Sequence, residues 1–186
     1  MTRIDICNIA LAQLGRDSIS SWDDDNATAR QIKIFYETAV DRLLRDHNWN
    51  FAMRTASLVQ IHNADGIQNY PVACAVPLEC ARVIRLESRD KFIKRGNIIY
   101  CRNIGENVVY VKKDINADDF DSAFADCVIC LISAKLAFAS RDNQMASYFE
   151  QQLRERIANA KAIDSIENVH DFQSGSFKSD FINARR

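Results

Sequence analysis

Leu43-Leu44-Arg45-Asp46-His47-Asn48-Trp49-Asn50-Phe51-Ala52 is the stretch on which the fold turns. Up to it, apolar residues recur every three or four positions. Ile32, Phe35, Tyr36, Ala39, Val40, Leu43 and Leu44 form one stripe, which predicts a helix over 27–47. Inside the stretch that period breaks. From Thr55 onward the chain reads as short β-prone runs divided by turn residues. A helical part and a β part therefore meet at Asn48–Ala52.

Working outward toward the N-terminus, Asp23-Asp24-Asp25-Asn26 supplies cap candidates and negative charge for the helix that follows. Arg42 and Arg45 suit the opposite end of its dipole. A shorter helix is expected over 2–14. Thr2 and Asp5 make a capping-box-like start, and Gly15 stands where a left-handed stop is favoured. Ile19 and Trp22 plug the turn between the two helices.

Toward the C-terminus, β-prone runs cover 56–62, 70–76, 81–87, 91–94, 98–102 and 108–112. Asn63-Ala64-Asp65-Gly66, Arg95-Gly96-Asn97 and Ile104-Gly105-Glu106-Asn107 separate some of them. The segment from Phe92 to Tyr110 reads as two linked hairpins, and the region as an antiparallel meander or small sandwich. Helical spacing returns at Asp121 with Phe124, Cys127, Val128, Leu131, Ile132, Lys135, Leu136 and Phe138, a strongly apolar helix expected at the centre of the core. After a break at Arg141-Asp142-Asn143, a last helix is expected over 144–163. The predicted class is α+β: an antiparallel helical bundle from 1–54 and 118–163, a β insertion at 55–117, and an extended C-terminal arm at 164–186. A disordered terminus is the plain reading of 164–186 from composition, but such segments are normally poor in aromatics. Phe172, Phe177 and Phe181, set along a polar stretch, suit an arm that folds onto a partner.

Lys plus Arg number 24 and Asp plus Glu 25, which argues against a broad DNA-gripping field. Arg89, Lys91, Lys94, Arg95, Arg102, Lys112 and Lys113 still bias the β region positive. Lysine guarding exposed strand edges accounts for that bias, and a surface for DNA or an acidic partner is the functional alternative. No run of about 18 apolar residues is apparent, so no membrane span is expected. The N-terminus lacks a signal-peptide layout, which places synthesis in a cytoplasm. The six cysteines at 7, 74, 80, 101, 127 and 130 then read as small buried hydrophobes.

Motifs that carry chemistry are scarce. Cys127-x-x-Cys130 lies inside a helix that needs burial, with no second pair or spaced histidine to complete a metal site. His47, His62 and His170 fall in separate elements, and His47 at a helix end reads as a dipole partner. Phosphate-binding glycine loops and the nucleophile elbow are missing. No catalytic, cofactor or metal residues are assigned, and no enzyme activity is expected.

The order of several short motifs is more specific. Asp5-Ile6-Cys7-Asn8-Ile9-Ala10-Leu11-Ala12-Gln13-Leu14-Gly15, the Ile19-Ser20-Ser21-Trp22 turn and the box at Asn48–Ala52 resemble the tail tubular protein A family. These are the head-to-tail adaptors of short-tailed phages and related prophages. Val76-Pro77-Leu78-Glu79-Cys80-Ala81-Arg82-Val83 and Phe120-Asp121-Ser122-Ala123-Phe124 continue the likeness, which reaches to about residue 160. Asn48 and Ser122 depart from it, standing where relatives commonly have proline (or, at 48, glycine).

The resemblance implies a structural virion protein, made in the host cytoplasm. It would form a homo-oligomeric ring of about twelve copies under the portal, joined by head-to-tail contacts. DNA would pass through without sequence recognition, and a tail nozzle protein would follow below. On this reading Phe172, Phe177, Phe181, Arg185 and Arg186 dock the arm in portal clefts. Glu150, Arg154, Glu155 and Arg156 are candidates for contacts between copies, and Trp49 and Phe51 are the junction of bundle and β region. The rival expectation is a host-side helical module that binds nucleic acid or protein through its β insertion.

Overall fold

The computed structural model describes residues 1–62 and 65–167. Asn63 and Ala64 of the first turn lie outside the described residues. So do 168–186, with His170 and the arm residues Phe172, Phe177, Phe181, Arg185 and Arg186. Among the described residues the architecture is α+β, with four α-helices and two antiparallel sheets.

Helix α1 runs Arg3–Ala12, and α2 runs Ala27–Asp46. The capping box forms as read: the Thr2 hydroxyl accepts from the Asp5 amide, and the Asp5 carboxylate accepts from the Thr2 amide. That arrangement satisfies donors a helix start would otherwise orphan, and it holds the Asp5 carboxyl below its ordinary pKa. Gly15 follows the helix at φ +63°, a left-handed conformation that glycine adopts without strain. Among the four polar residues before α2, Asn26 is the cap and accepts from the Ala29 amide at 2.8 Å. Asp24 instead ties down the preceding turn through the Ser20 and Ser21 amides.

Seven strands follow, over Met53–Ser57 (β1), Val59–Gln60 (β2), Val72–Ala75 (β3), Cys80–Leu86 (β4), Ile93–Arg95 (β5), Ile98–Cys101 (β6) and Asn107–Lys112 (β7). One sheet has the order β1-β7-β4 and the other β2-β3-β6-β5. Leu58, Val72, Cys74, Ile99 and Cys101 pack against Leu86, Val108 and Tyr110 to form a core between the two sheets. Of the two expected arrangements, the sandwich is the one that forms.

The second of the two linked hairpins expected over Phe92–Tyr110 does not form. β5 and β6 do pair, with Ile93 opposite Tyr100, but β7 crosses to the other sheet and lies between β1 and β4. The reason lies in β7 itself. Val108, Val109, Tyr110 and Val111 are all buried. Val108 and Tyr110 face the sandwich core, while Val111 joins the helical core. A strand apolar on both faces needs cover on both, and only the middle layer supplies it. β4 is divided likewise, with Val83 and Leu86 toward the sandwich and Ala81 and Ile84 toward the helices.

Helix α3, Ser122–Ala139, is capped by Asp121 and packs against α1, α2 and α4 (Asn143–Glu167). It is long and apolar enough to cross a membrane by length and composition alone, although Asp126 and Lys135 interrupt the apolar run. Two thirds of that run is buried within the fold, so α3 serves as the central core helix. Helix α4 continues four residues beyond its expected end at Ile163, and 164–167 belong to it.

Candidate functional site

The corner between helices and sheets is built by the box that ends α2. Trp49 is 1% exposed and donates from Nε1 to the Leu43 carbonyl at 2.7 Å. Its ring meets Phe124 edge-on at 5.1 Å, and Phe51 touches Phe124 and Phe120 at 4.9 and 5.8 Å. The two residues read as a junction therefore hold α2 to the start of α3. His47 occupies the C-cap position of α2, and the partner of its side chain was not foreseen. His47 Nε2 lies 2.9 Å from the Asp164 carboxylate on α4. Asp164 also accepts from the Asn50 amide at 2.9 Å, and its carbonyl accepts from the Asn50 side chain. Lys161 adds an ion pair with Asp46 at 2.8 Å. The far end of α4 is thus clamped onto the α2 terminus.

Glu150 and Arg154, one helical turn apart, sit on the same flank of α4 and line a groove of about 610 Å³. Phe35, Leu131, Leu153 and Ile157 give the groove an apolar floor, beside Phe138, which is 71% exposed. Its rim carries Arg42, Lys135 and Arg154 against the single carboxylate of Glu150. Glu155 and Arg156 are turned to other sides of the helix. Glu155 is exposed, whereas Arg156 pairs with Asp126 of α3 at 3.5 Å. Arg156 also borders a smaller recess of about 270 Å³ with Gln13, Met145 and Tyr148. Of the four charged residues expected at contacts between copies, Glu150 and Arg154 line the groove, Arg156 borders the recess on another side of the helix, and Glu155 lines neither.

Sequence reasoning missed Asp164 and the groove. Asp164 fell where an arm was expected to begin. Phe138 was assigned to the core because it continues an apolar run. Its spacing of three from the polar Lys135 was the available hint that this face reaches the surface.

Arg89, Lys91, Lys94, Arg95 and Arg102 are exposed around β5 and β6. Lys112 instead pairs with Glu79 at 3.2 Å, and exposed Lys113 is bonded through its amide to the Glu79 carbonyl. Cys127 and Cys130 lie on α3 and are buried, and burial pushes the Cys127 thiol up to about 12. Cys7 and Cys101 are raised as far, also by burial. Thiols held neutral in this way are weak nucleophiles and weak metal ligands. Among the described residues, no three His, Cys, Asp or Glu side chains converge to hold a metal ion. The geometry offers surfaces for contact: one amphipathic groove, a second recess and an exposed basic edge. No known protein family matches the chain, and no curated protein matches it at a significant level.

Proposed function

We propose that this chain is a head-to-tail adaptor, a structural virion protein that docks on the portal as a ring and links it to the tail nozzle. The observation that carries this reading is the unlike pair of flanks on α4. Copies arranged in a closed ring meet through heterologous contacts, where one patch faces a different patch on the neighbour. The groove with Glu150 and Arg154 on one side, and the recess with Arg156 and Tyr148 on the other, supply two such patches. Trp49 and Phe51, quoted for the resemblance, fix the helices that present them. In this role Phe172, Phe177, Phe181, Arg185 and Arg186 anchor the arm on the portal, and DNA passes through the ring unread.

The test is to mix the chain with a portal protein from the same genome and to image the product by electron microscopy. A ring of added density on one face of the portal supports the proposal. Failure of the two to co-sediment at micromolar concentration overturns it. Replacing Phe172, Phe177 and Phe181 together with serine is expected to abolish that binding.

The exposed basic edge favours a second reading, a module that grips nucleic acid through β5 and β6. Filter binding across salt concentrations separates the two. Phosphate gripping gives an affinity that falls steeply with salt, whereas an adaptor shows weak, sequence-blind retention.

A further inference from the structure

The groove between α2, α3 and α4 suits an occupant of definite chemistry. Its floor is apolar, Phe138 stands open beside it, and its rim carries three cations and one carboxylate. Such a site favours an aromatic ring escorted by an acid.

This combination occurs twice in the stretch that follows α4, at Asp171-Phe172 and at Asp180-Phe181. Reach separates them. From Leu153 in the groove to the end of α4 at Glu167 the helix axis advances about 21 Å, at about 1.5 Å per residue. A chain turning back covers at most about 3.5 Å per residue. Phe172 then travels no more than about 17 Å from Glu167, which at full stretch meets Ile157 at the near end of the groove but falls short of Leu153. Phe181 can travel up to about 49 Å and arrives with slack. Phe177 is also within range, but it is followed by Lys178, a cation brought to a cationic rim.

We propose that the groove is the docking site for this chain's own Asp180-Phe181 segment. The phenylalanine ring fills the apolar floor and the aspartate faces Arg154. A tether of this length holds the segment near the groove at roughly millimolar effective concentration. At micromolar protein, the chain's own segment therefore outcompetes that of a second copy. Docking there covers the α4 flank bearing Glu150 and Arg154. The docking is that of the free chain and is tested without portal; in the assembled state of the proposed function, Phe181 leaves the groove for the portal and uncovers that flank.

The experiment places a photoreactive benzoylphenylalanine at position 181 of the full chain. The sample is irradiated at about 1 µM, well below the effective concentration of the tether, and the crosslinked peptides are identified by mass spectrometry. The expected product has the mass of one chain and joins position 181 to the 131–139 or 150–157 segment. Arg154→Glu is expected to lower its yield about tenfold, which is one factor-of-ten step in affinity. Combining Arg154→Glu with Asp180→Arg should restore it. A product with twice the chain mass, crosslinks confined to other segments, no crosslink, or a charge swap that fails to rescue would each overturn the assignment.

Discussion

Asp164 lies 117 residues from His47 in sequence, yet its carboxylate binds that ring and the Asn50 amide together. The group is 7% exposed, so both partners lose a bond that water replaces poorly if the carboxylate is removed. Asp164→Ala is expected to destabilise the fold by about 2–3 kcal/mol, read from urea unfolding at neutral pH. Asp164→Asn, which keeps one acceptor for the Asn50 amide, should lose less. Equal losses in the two variants would show that the clamp is not hydrogen-bonded in this way. The buried thiols make a second expectation at this scale. Cys7, Cys101 and Cys127 are raised by burial from 9.0 to about 12. The unfolded chain ionises these thiols above pH 9, while the folded chain keeps them neutral. Their contribution is therefore complete below pH 9 and is lost as pH rises toward 12. Urea midpoints should fall between pH 8 and 10.5, and Cys127→Ala should flatten that fall. An unchanged slope in the variant would remove this thiol as a cause.

At the scale of elements, the corner at Trp49 bears the largest single burden. Its ring is buried against Phe124 while its Nε1 reaches back to Leu43, so one side chain joins the end of α2 to the start of α3. Trp49→Ala is expected to lose about 3–5 kcal/mol. Trp49→Phe, which keeps most of the apolar volume and gives up the hydrogen bond, should lose about 1–2 kcal/mol by thermal or urea unfolding. The corner was legible because a strong helical period stops at Asn48 and aromatics follow at once. The capped start of α1 was legible for the same local reason, since capping depends on residues three or four apart, whereas the helix stops at Ala12, two residues short of its expected end. The course of β7 was not. A run such as Val108-Val109-Tyr110-Val111 has no alternation to say which face is inside, and a short turn before it reads as a hairpin. Its two faces are used by two different cores, a fact that belongs to the tertiary arrangement. The groove was hidden for a related reason. Phe35, Leu131 and Leu153 each read as core, and only the packing of three helices leaves their far sides open beside Phe138.

For the whole molecule, the proposed adaptor role requires that the chain assemble on a platform and not alone. Each α4 flank is small, and one of them is rimmed by charges whose pairing across a wet contact contributes only about 0–1 kcal/mol. A contact of that kind does not offset the loss of translational and rotational freedom on association. Ordering a trailing segment on a partner adds a further cost of about 2–5 kcal/mol. A portal that offers many equivalent clefts changes this balance, because each bound copy raises the effective concentration of the next contact. The isolated chain is therefore expected to sediment as a 21.2 kDa monomer at micromolar concentration and to close into a ring only with portal present. Glu150→Arg, on the exposed flank of α4, should leave the melting temperature within about 2 °C, as surface substitutions do. It should nevertheless prevent ring closure, because every copy then repeats the same mismatched patch. Rings that form from the isolated chain in dilute solution would mean that the flanks suffice by themselves, and assembly gated by the platform would have to be abandoned.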